Sequence, residues 1–426
     1  MSATGPPAAS SDEFSRGLQA LASANSTLCA RRPLPEHATE SGREIHYLEI
    51  KPAGASADRP VAVLLAGLHA RELAPPAAVF SFARRLVEAY AAKADITYPA
   101  FSDGSVPYGA WQLTADDVRR IVDALTILVV PVANPDGRDH ALTVAPGWRG
   151  NRNTTDCSGF GVDLNRNFAI GWDTSVYYAA ADEAVIVPNA TAPTCINDSF
   201  RGLSAGSEKE TQNIQRLIDD NDVRYLVDVH SAGRRVLMPW GLAENQETSP
   251  SQNFANTVFD RHSDGTGGRS VLNGTYKEFV PNDRPDQVLL THDHIAQAMI
   301  HAIRDQAGAN STASSRSIYR KYQIPYLYKE FWNLPHILPV PGSSVDYALA
   351  RQFKAGEPKP AYAVAMEIGW EPIPGIPGSD PVTEGGFIPS SPTKYQKIER
   401  EAHAALAAFL RAAVGPASTT GRSKKK

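Results

Sequence analysis

The sequence predicts an α/β protein with a mixed, largely parallel central sheet and helices on both faces. Val61 to Leu68 is uniformly apolar, as a strand covered on both sides would be, Ile127 to Pro131 reads as another apolar strand, and Ala361 to Gly369 as a further strand. Between them lie stretches with apolar residues at helical spacing, such as Val79, Phe82, Ala83, Leu86, Val87 and Tyr90. Strands that alternate with helices in this way form crossover-connected parallel sheets.

In chain order, residues 1–15 are rich in Ser, Ala and Pro and are expected without fixed structure, and a helix is expected over Phe14 to Ala24. Ile45 to Ile50 alternates as a half-buried strand does. A Pro/Gly/Tyr-rich loop, Thr97 to Gln112, leads to Thr114, whose hydroxyl suits the N-cap of a helix with Asp116 and Asp117 in its first turn. The run Asn134-Pro135-Asp136-Gly137 reads as a turn, and residues 138–206 as loop-rich. Ser207 with Glu210 reads as a capping box opening a helix that ends near Asp220. Tyr225 to His230 is the next strand, Val288 to Gln306 a helix, and Tyr395 to Val414 a long closing helix. No repeat and no long linker divides the chain. The expectation is one catalytic domain over 16–416, with a long insertion at 241–337 and a flexible basic tail at 417–426.

With 426 residues, 42% of them hydrophobic and 21% charged, the chain can bury a large core. A net charge of −4 calls for neither nucleic acid nor an anionic membrane as partner. The apolar runs are far shorter than the roughly 20 residues that span a bilayer. The start, MSATGPPAASSDEF, has neither the basic nor the apolar region of a secretory signal, which leaves a cytoplasmic protein or a mature exported form. Three cysteines, Cys29, Cys157 and Cys195, allow at most one internal bridge. A monomer is expected.

Chance predicts about one His followed by an acid three residues later in a chain of this composition; the sequence holds three such pairs, His37/Glu40, His46/Glu49 and His69/Glu72. The first lies in a polar, Pro-flanked stretch with no strand expected before it. The second lies within a strand, where an odd separation puts the side chains on opposite faces. His69/Glu72 follows a buried strand and precedes a helix, so the chain turns and residues three apart can converge. A carboxylate beside so apolar a core also needs a cation or a paired partner. His230 ends another strand, on the side where ligands gather in open α/β sheets. Two His and one Glu with an open fourth position describe a catalytic zinc site holding one ion.

At this point the residues resemble the zinc carboxypeptidase family of carboxypeptidases A and B, for which a His₂Glu zinc site is already known. The matching segments are GLHARE (67–72), NPDG (134–137), WRGNR (148–152), GVDLNRNF (161–168), DVHS (228–231), GSSVDY (342–347) and MEIG (366–369), in the family's order and approximate spacing. The resemblance covers about residues 40–412. It implies the family's fold, zinc ligands His69, Glu72 and His230, and Asp163 as the carboxylate that orients a ligand histidine. It further implies Glu367 as general base and Arg149 as the cation that polarises the scissile carbonyl. Asn165 and Arg166 would hold the substrate's terminal carboxylate, Arg71 would line the cleft, and Val345 would sit at the base of the specificity pocket. The implied reaction is removal of single residues from peptide or protein C-termini. An apolar Val345 implies apolar or aromatic C-terminal residues as substrate.

Two departures stand out. The family's mobile substrate-covering tyrosine falls at Leu338, and Ala232 replaces a common aromatic. Tyr347, His336 or the 241–337 insertion would then supply the cap. Cys157 and Cys195 match a family disulfide, which implies an oxidising compartment and export. A zinc deacylase or amidase of the same fold acting on an acylated amino acid or cell-wall peptide, and a catalytically silent binding protein, are the competing readings.

Overall fold

A computed structural model describes residues 8–103, 106–174, 191–241, 285–306, 320–323, 340–350, 361–369, 387, 389 and 391–415. The basic tail, Leu338, His336 and most of the 241–337 insertion lie outside these residues.

Twelve strands and eight α-helices are described, in the order α1 (Ser11–Ala24), β1 (Cys29–His37), β2 (Glu44–Ile50), β3 (Val61–Ala66), α2 (Ala74–Ala92), β4 (Ile96–Tyr98), β5 (Phe101–Asp103), β6 (Val106–Tyr108), β7 (Trp111–Leu113), α3 (Ala115–Ala124), β8 (Thr126–Val130), α4 (Pro135–Thr143), α5 (Lys209–Asp220), β9 (Val223–Ser231), β10 (Arg235–Met238), α6 (Pro285–Gln306), β11 (Arg320–Gln323), α7 (Ser344–Ala350), β12 (Tyr362–Ile368) and α8 (Pro392–Ala413). The main sheet runs β1-β2-β8-β3-β9-β12-β10-β11. Its centre, β8-β3-β9-β12, is parallel, while β1, β2 and β10 add antiparallel pairings. The mixed, largely parallel sheet expected from the apolar runs is thus present.

Period-two alternation sorts each central strand between two cores. Ala62, Leu64 and Ala66 of β3, with Val227 and Val229 of β9, face the cluster built with α1, α2, α3, α6 and α8. Val63 and Leu65, with Leu226 of β9 and Ala363 and Ala365 of β12, face the cluster that holds α5 and α7. Asp228, His230 and Glu367 share the parity of Leu226, Ala363 and Ala365, so all three belong to the α5/α7 face.

Several local expectations change. The first helix starts at Ser11 rather than Phe14, because Ser10 and Glu13 form a reciprocal capping box; residues 11–15 are therefore helical. β1 runs through to His37, where no strand was expected: its Pro33 and Pro35 are tolerated because the strand is an edge. The expected loop at 97–112 holds two short antiparallel ribbons, β4 with β7 and β5 with β6. Asn134 does not close a turn but caps α4, its side chain accepting from the Gly137 N–H. The Ser207/Glu210 box is not formed. Glu210 instead accepts from the backbone and hydroxyl of Thr39 at 2.8 and 2.7 Å, and the helix opens at Lys209. Long-range partners outcompete the local cap there. Thr114 caps α3 as expected, accepting from the Asp117 N–H.

Candidate metal centre

β3 delivers the chain to a turn at Gly67, whose φ of +73° favours glycine and whose missing Cβ would lie 3.1 Å from the Pro131 carbonyl. The turn carries His69 and Glu72 past the carboxyl end of β3. The parallel neighbour β9 ends with His230 on the same side. Asn134 pins this loop: its amide donates to the carbonyls of Leu68 and Gly150, both at 3.0 Å, and the Ala70 N–H donates to the Arg149 carbonyl at 2.9 Å.

His69, Glu72 and His230 are buried, and their donor atoms all lie within 4.8 Å of one another. His69 Nδ1 is 2.7 Å from Glu72 Oε1; His230 Nδ1 is 3.0 Å from Glu72 Oε2 and 3.1 Å from His69 Nδ1. The outer nitrogens face carboxylates: His69 Nε2 lies 3.2 Å from Asp163 Oδ1, and His230 Nε2 lies 2.9 Å from Asp228 Oδ2. A cation shared by both Nδ1 atoms and Glu72 would leave each ring's proton on Nε2, where the facing carboxylate can accept it. Both Nδ1 lone pairs then point at each other and at Glu72. Such a set of electron-pair donors repels itself without a shared positive charge, and two imidazoles plus one carboxylate suit zinc.

Electrostatics agree with a site made for a cation. Burial alone would raise the Glu72 carboxyl, but the two imidazoles and their hydrogen bonds hold it well below the usual carboxylate range. Asp163 is likewise held down against burial by Arg149, Arg166 and His69. His230 is pushed up, against burial, by Asp228 and Glu72. Glu367 moves the other way, raised to about 7 by burial and then by the charge of Glu72.

The other expected site residues divide. Glu367 pairs in register with His230 across β12 and β9, and with Arg235 across β10. Arg149 donates through Nε to Asp163 Oδ2 at 2.9 Å, with its Nη1 4.0 Å from Glu72 Oε1. Asn165 and Arg166 form a short 3₁₀ turn capped by Asp163. Asn165 is held within that framework, its Oδ1 accepting from the Ser344 N–H at 2.8 Å and its amide lying 3.2 Å from His230 Nε2. Arg166 donates to the Asn165 carbonyl at 2.8 Å and is buried. Arg71 binds Asp198 at 2.8 Å and stacks over Phe387. Val345 is fully buried on α7, in the apolar cluster that includes Phe168 and Tyr347. Cys157 and Cys195 form a disulfide, leaving Cys29 free and buried.

The two other His-x-x-Glu pairs find different partners. His46 lies 3.1 Å from an Arg31 nitrogen, Glu49 accepts from Arg32, and Glu40 accepts from Arg152. Sequence reasoning missed Asp228, Ser344 and Asn134. Asp228 was accessible in principle, because residues i and i+2 of a strand share a face. The other two make their contacts across 116 and 66 positions respectively.

Comparison with known proteins agrees with this architecture. A family model described as zinc carboxypeptidase matches residues 16–374. Human carboxypeptidase B is 27% identical over 228 residues, 53% of this chain and 45% of that protein. Mouse mast cell carboxypeptidase A is 29% identical over 178 residues, 41% of this chain and 34% of that protein. The matched stretches thus span less than half the length of these relatives. Among solved structures, carboxypeptidase A from Helicoverpa armigera superposes with a TM-score of 0.62 at 21% identity, covering 95% of this chain and 73% of the other. Bovine thrombin-activatable fibrinolysis inhibitor, solved with a tick carboxypeptidase inhibitor, gives 0.58 at 14% identity, covering 94% and 96%. Those two likenesses speak for the fold, and the model matched across most of the chain speaks for descent: this protein belongs to the zinc carboxypeptidase family.

Proposed function

We propose that the protein is a zinc-dependent carboxypeptidase that hydrolyses the last peptide bond of peptides or proteins. The observation that carries this reading is the register of β12 against β9, which sets Glu367 opposite His230 and beside the three converging donors. When bound, zinc supplies Lewis acidity and lowers the pKa of a coordinated water toward about 7.

The chain's own groups do the rest. Glu367, half-buried and raised to about 7, accepts a proton from the attacking water and passes it to the leaving amine. Arg149 is anchored by Asp163 at one nitrogen, which aims its guanidinium at the cluster; it meets the charge that develops on the scissile carbonyl. Arg166 grips the substrate's terminal carboxylate, while Asn165 supports Arg166 through its carbonyl and offers an amide donor. Arg71, fixed by Asp198 and Phe387, lines the rim. Val345 keeps the pocket base apolar, which favours apolar or aromatic C-terminal residues.

The test is a peptide library varied at the C-terminal residue, digested with and without chelator. Stepwise release of single apolar residues, abolished by chelator and restored by zinc, is the expected result. Internal cleavage, or release that survives metal removal, would overturn it.

A further inference from the structure

Among the described residues, one buried carboxylate that faces a histidine of the metal centre has no role above. Asp228 lies in the middle of the parallel sheet, opposite Leu65 of β3 and Ala365 of β12, and is fully buried. A charge there is costly unless it is paired. Its Oδ2 faces His230 Nε2 at 2.9 Å and accepts the Ser344 hydroxyl at 2.5 Å. Its Oδ1 has no hydrogen-bond partner among the described residues. Among the described residues, the carboxylate's one ionic neighbour is the imidazole that turns its other nitrogen to the metal centre.

Ser344 opens α7 and does two things at once. Its hydroxyl holds Asp228, and its N–H donates to Asn165 Oδ1 at 2.8 Å. The Asn165 N–H in turn donates to Asp163 Oδ1 at 3.0 Å, the same oxygen that faces His69 Nε2. One hydrogen-bonded run thus connects the supports of both histidines. Ser344 is placed by Gly342, whose φ of +76° lets the backbone lie against that of Arg166.

We propose that Asp228, braced by Ser344, is the positioning carboxylate of His230, so that the segment bearing Val345 also sets how tightly the site holds zinc. The proposal rests on the metal-centre reading above. A carboxylate behind a ligating imidazole fixes its tautomer and orientation and raises its basicity, and loss of such a partner lowers metal affinity about 10–100-fold. Removing Ser344 acts through Asp228 and should produce a smaller loss in the same direction.

The experiment is chelator competition for zinc on the purified full chain, with Asp228→Asn, Ser344→Ala and the double variant, alongside visible spectra of the cobalt(II)-substituted proteins. The expected result is a zinc dissociation constant raised about 10–100-fold in Asp228→Asn, less in Ser344→Ala, and no further in the double variant. The cobalt spectrum should shift in both single variants, which a purely structural role would not cause. If the wild type binds zinc and all variants bind it equally, this inference fails while the metal centre stands. If the wild type binds no zinc, the underlying reading fails as well. Should Asp228→Asn not fold, Ser344→Ala carries the test alone, and unchanged affinity and spectrum overturn the proposal.

Discussion

At the scale of single residues, the site is a set of buried charges whose positions make sense only together. Glu72 and Asp163 are held ionised by cationic and imidazole neighbours, whereas Glu367 is pushed up to about 7, a separation that suits the ligand, anchor and base roles proposed for them. Glu367→Gln keeps the shape but cannot take a proton; we predict retained zinc and a loss of at least about 10²-fold in kcat. Zinc content by atomic absorption together with turnover checks this, and near-normal turnover removes Glu367 from the mechanism. Asp163→Asn loosens both His69 and Arg149, since the carboxylate contacts both. We predict a 10–100-fold weaker hold on zinc together with a larger fall in kcat/KM than metal loss explains. Kinetics at saturating zinc would separate the two effects, and full recovery there would show that Asp163 does not act through Arg149.

At the scale of elements, α8 is bound to the sheet side by buried polar contacts as well as by apolar ones. His403 lies fully buried between α8 and α2, its Nδ1 2.6 Å from the Tyr98 hydroxyl and its Nε2 3.0 Å from the Ala78 carbonyl. Burial lowers its pKa to about 4, with Glu399 opposing and Arg85 adding to the shift. The unfolded ring titrates near 6.5, so between the two values the unfolded state binds more protons. Stability from this group is complete above about pH 6.5 and is lost as pH falls through about 4, a difference of roughly 3 kcal/mol. Urea melts at pH 7 and pH 5 should show the drop in wild type and a smaller one in His403→Gln; equal drops would exclude His403 as its source.

At the scale of the molecule, cross-links and sheet order hold distant segments to the centre. The disulfide between Cys157 and Cys195 spans 38 positions and closes a loop that contains the Asp163 to Arg166 turn. In the chain-entropy account it stabilises by about 4 kcal/mol. Reductant, or paired Cys157→Ser and Cys195→Ser changes, should lower the urea midpoint accordingly, and an unchanged midpoint would show that the bridge contributes nothing. The central strand order β8-β3-β9-β12 brings His69, His230 and Glu367 together from positions about 160 and 140 residues apart. The family match over residues 16–374 spans this whole assembly.

Much of this was legible in the sequence, for identifiable reasons. Uniformly apolar runs such as Val61 to Leu68 and Ile127 to Pro131 can be stable only when covered on both faces, so composition alone determined the central strands and the fold class. The His69/Glu72 pair stood out from two decoys because a buried strand precedes it. What local pattern could not decide was any choice settled by distant partners. Thr39 takes Glu210 out of a helix cap, an edge position lets a strand contain Pro33 and Pro35, and Ser344 reaches Asp228 across 116 positions. The sequence by itself determined the central strands and singled out the three candidate metal ligands, because burial and donor chemistry are properties of short segments. Only the tertiary structure decided which carboxylate stands behind which histidine, because that depends on strand order and register.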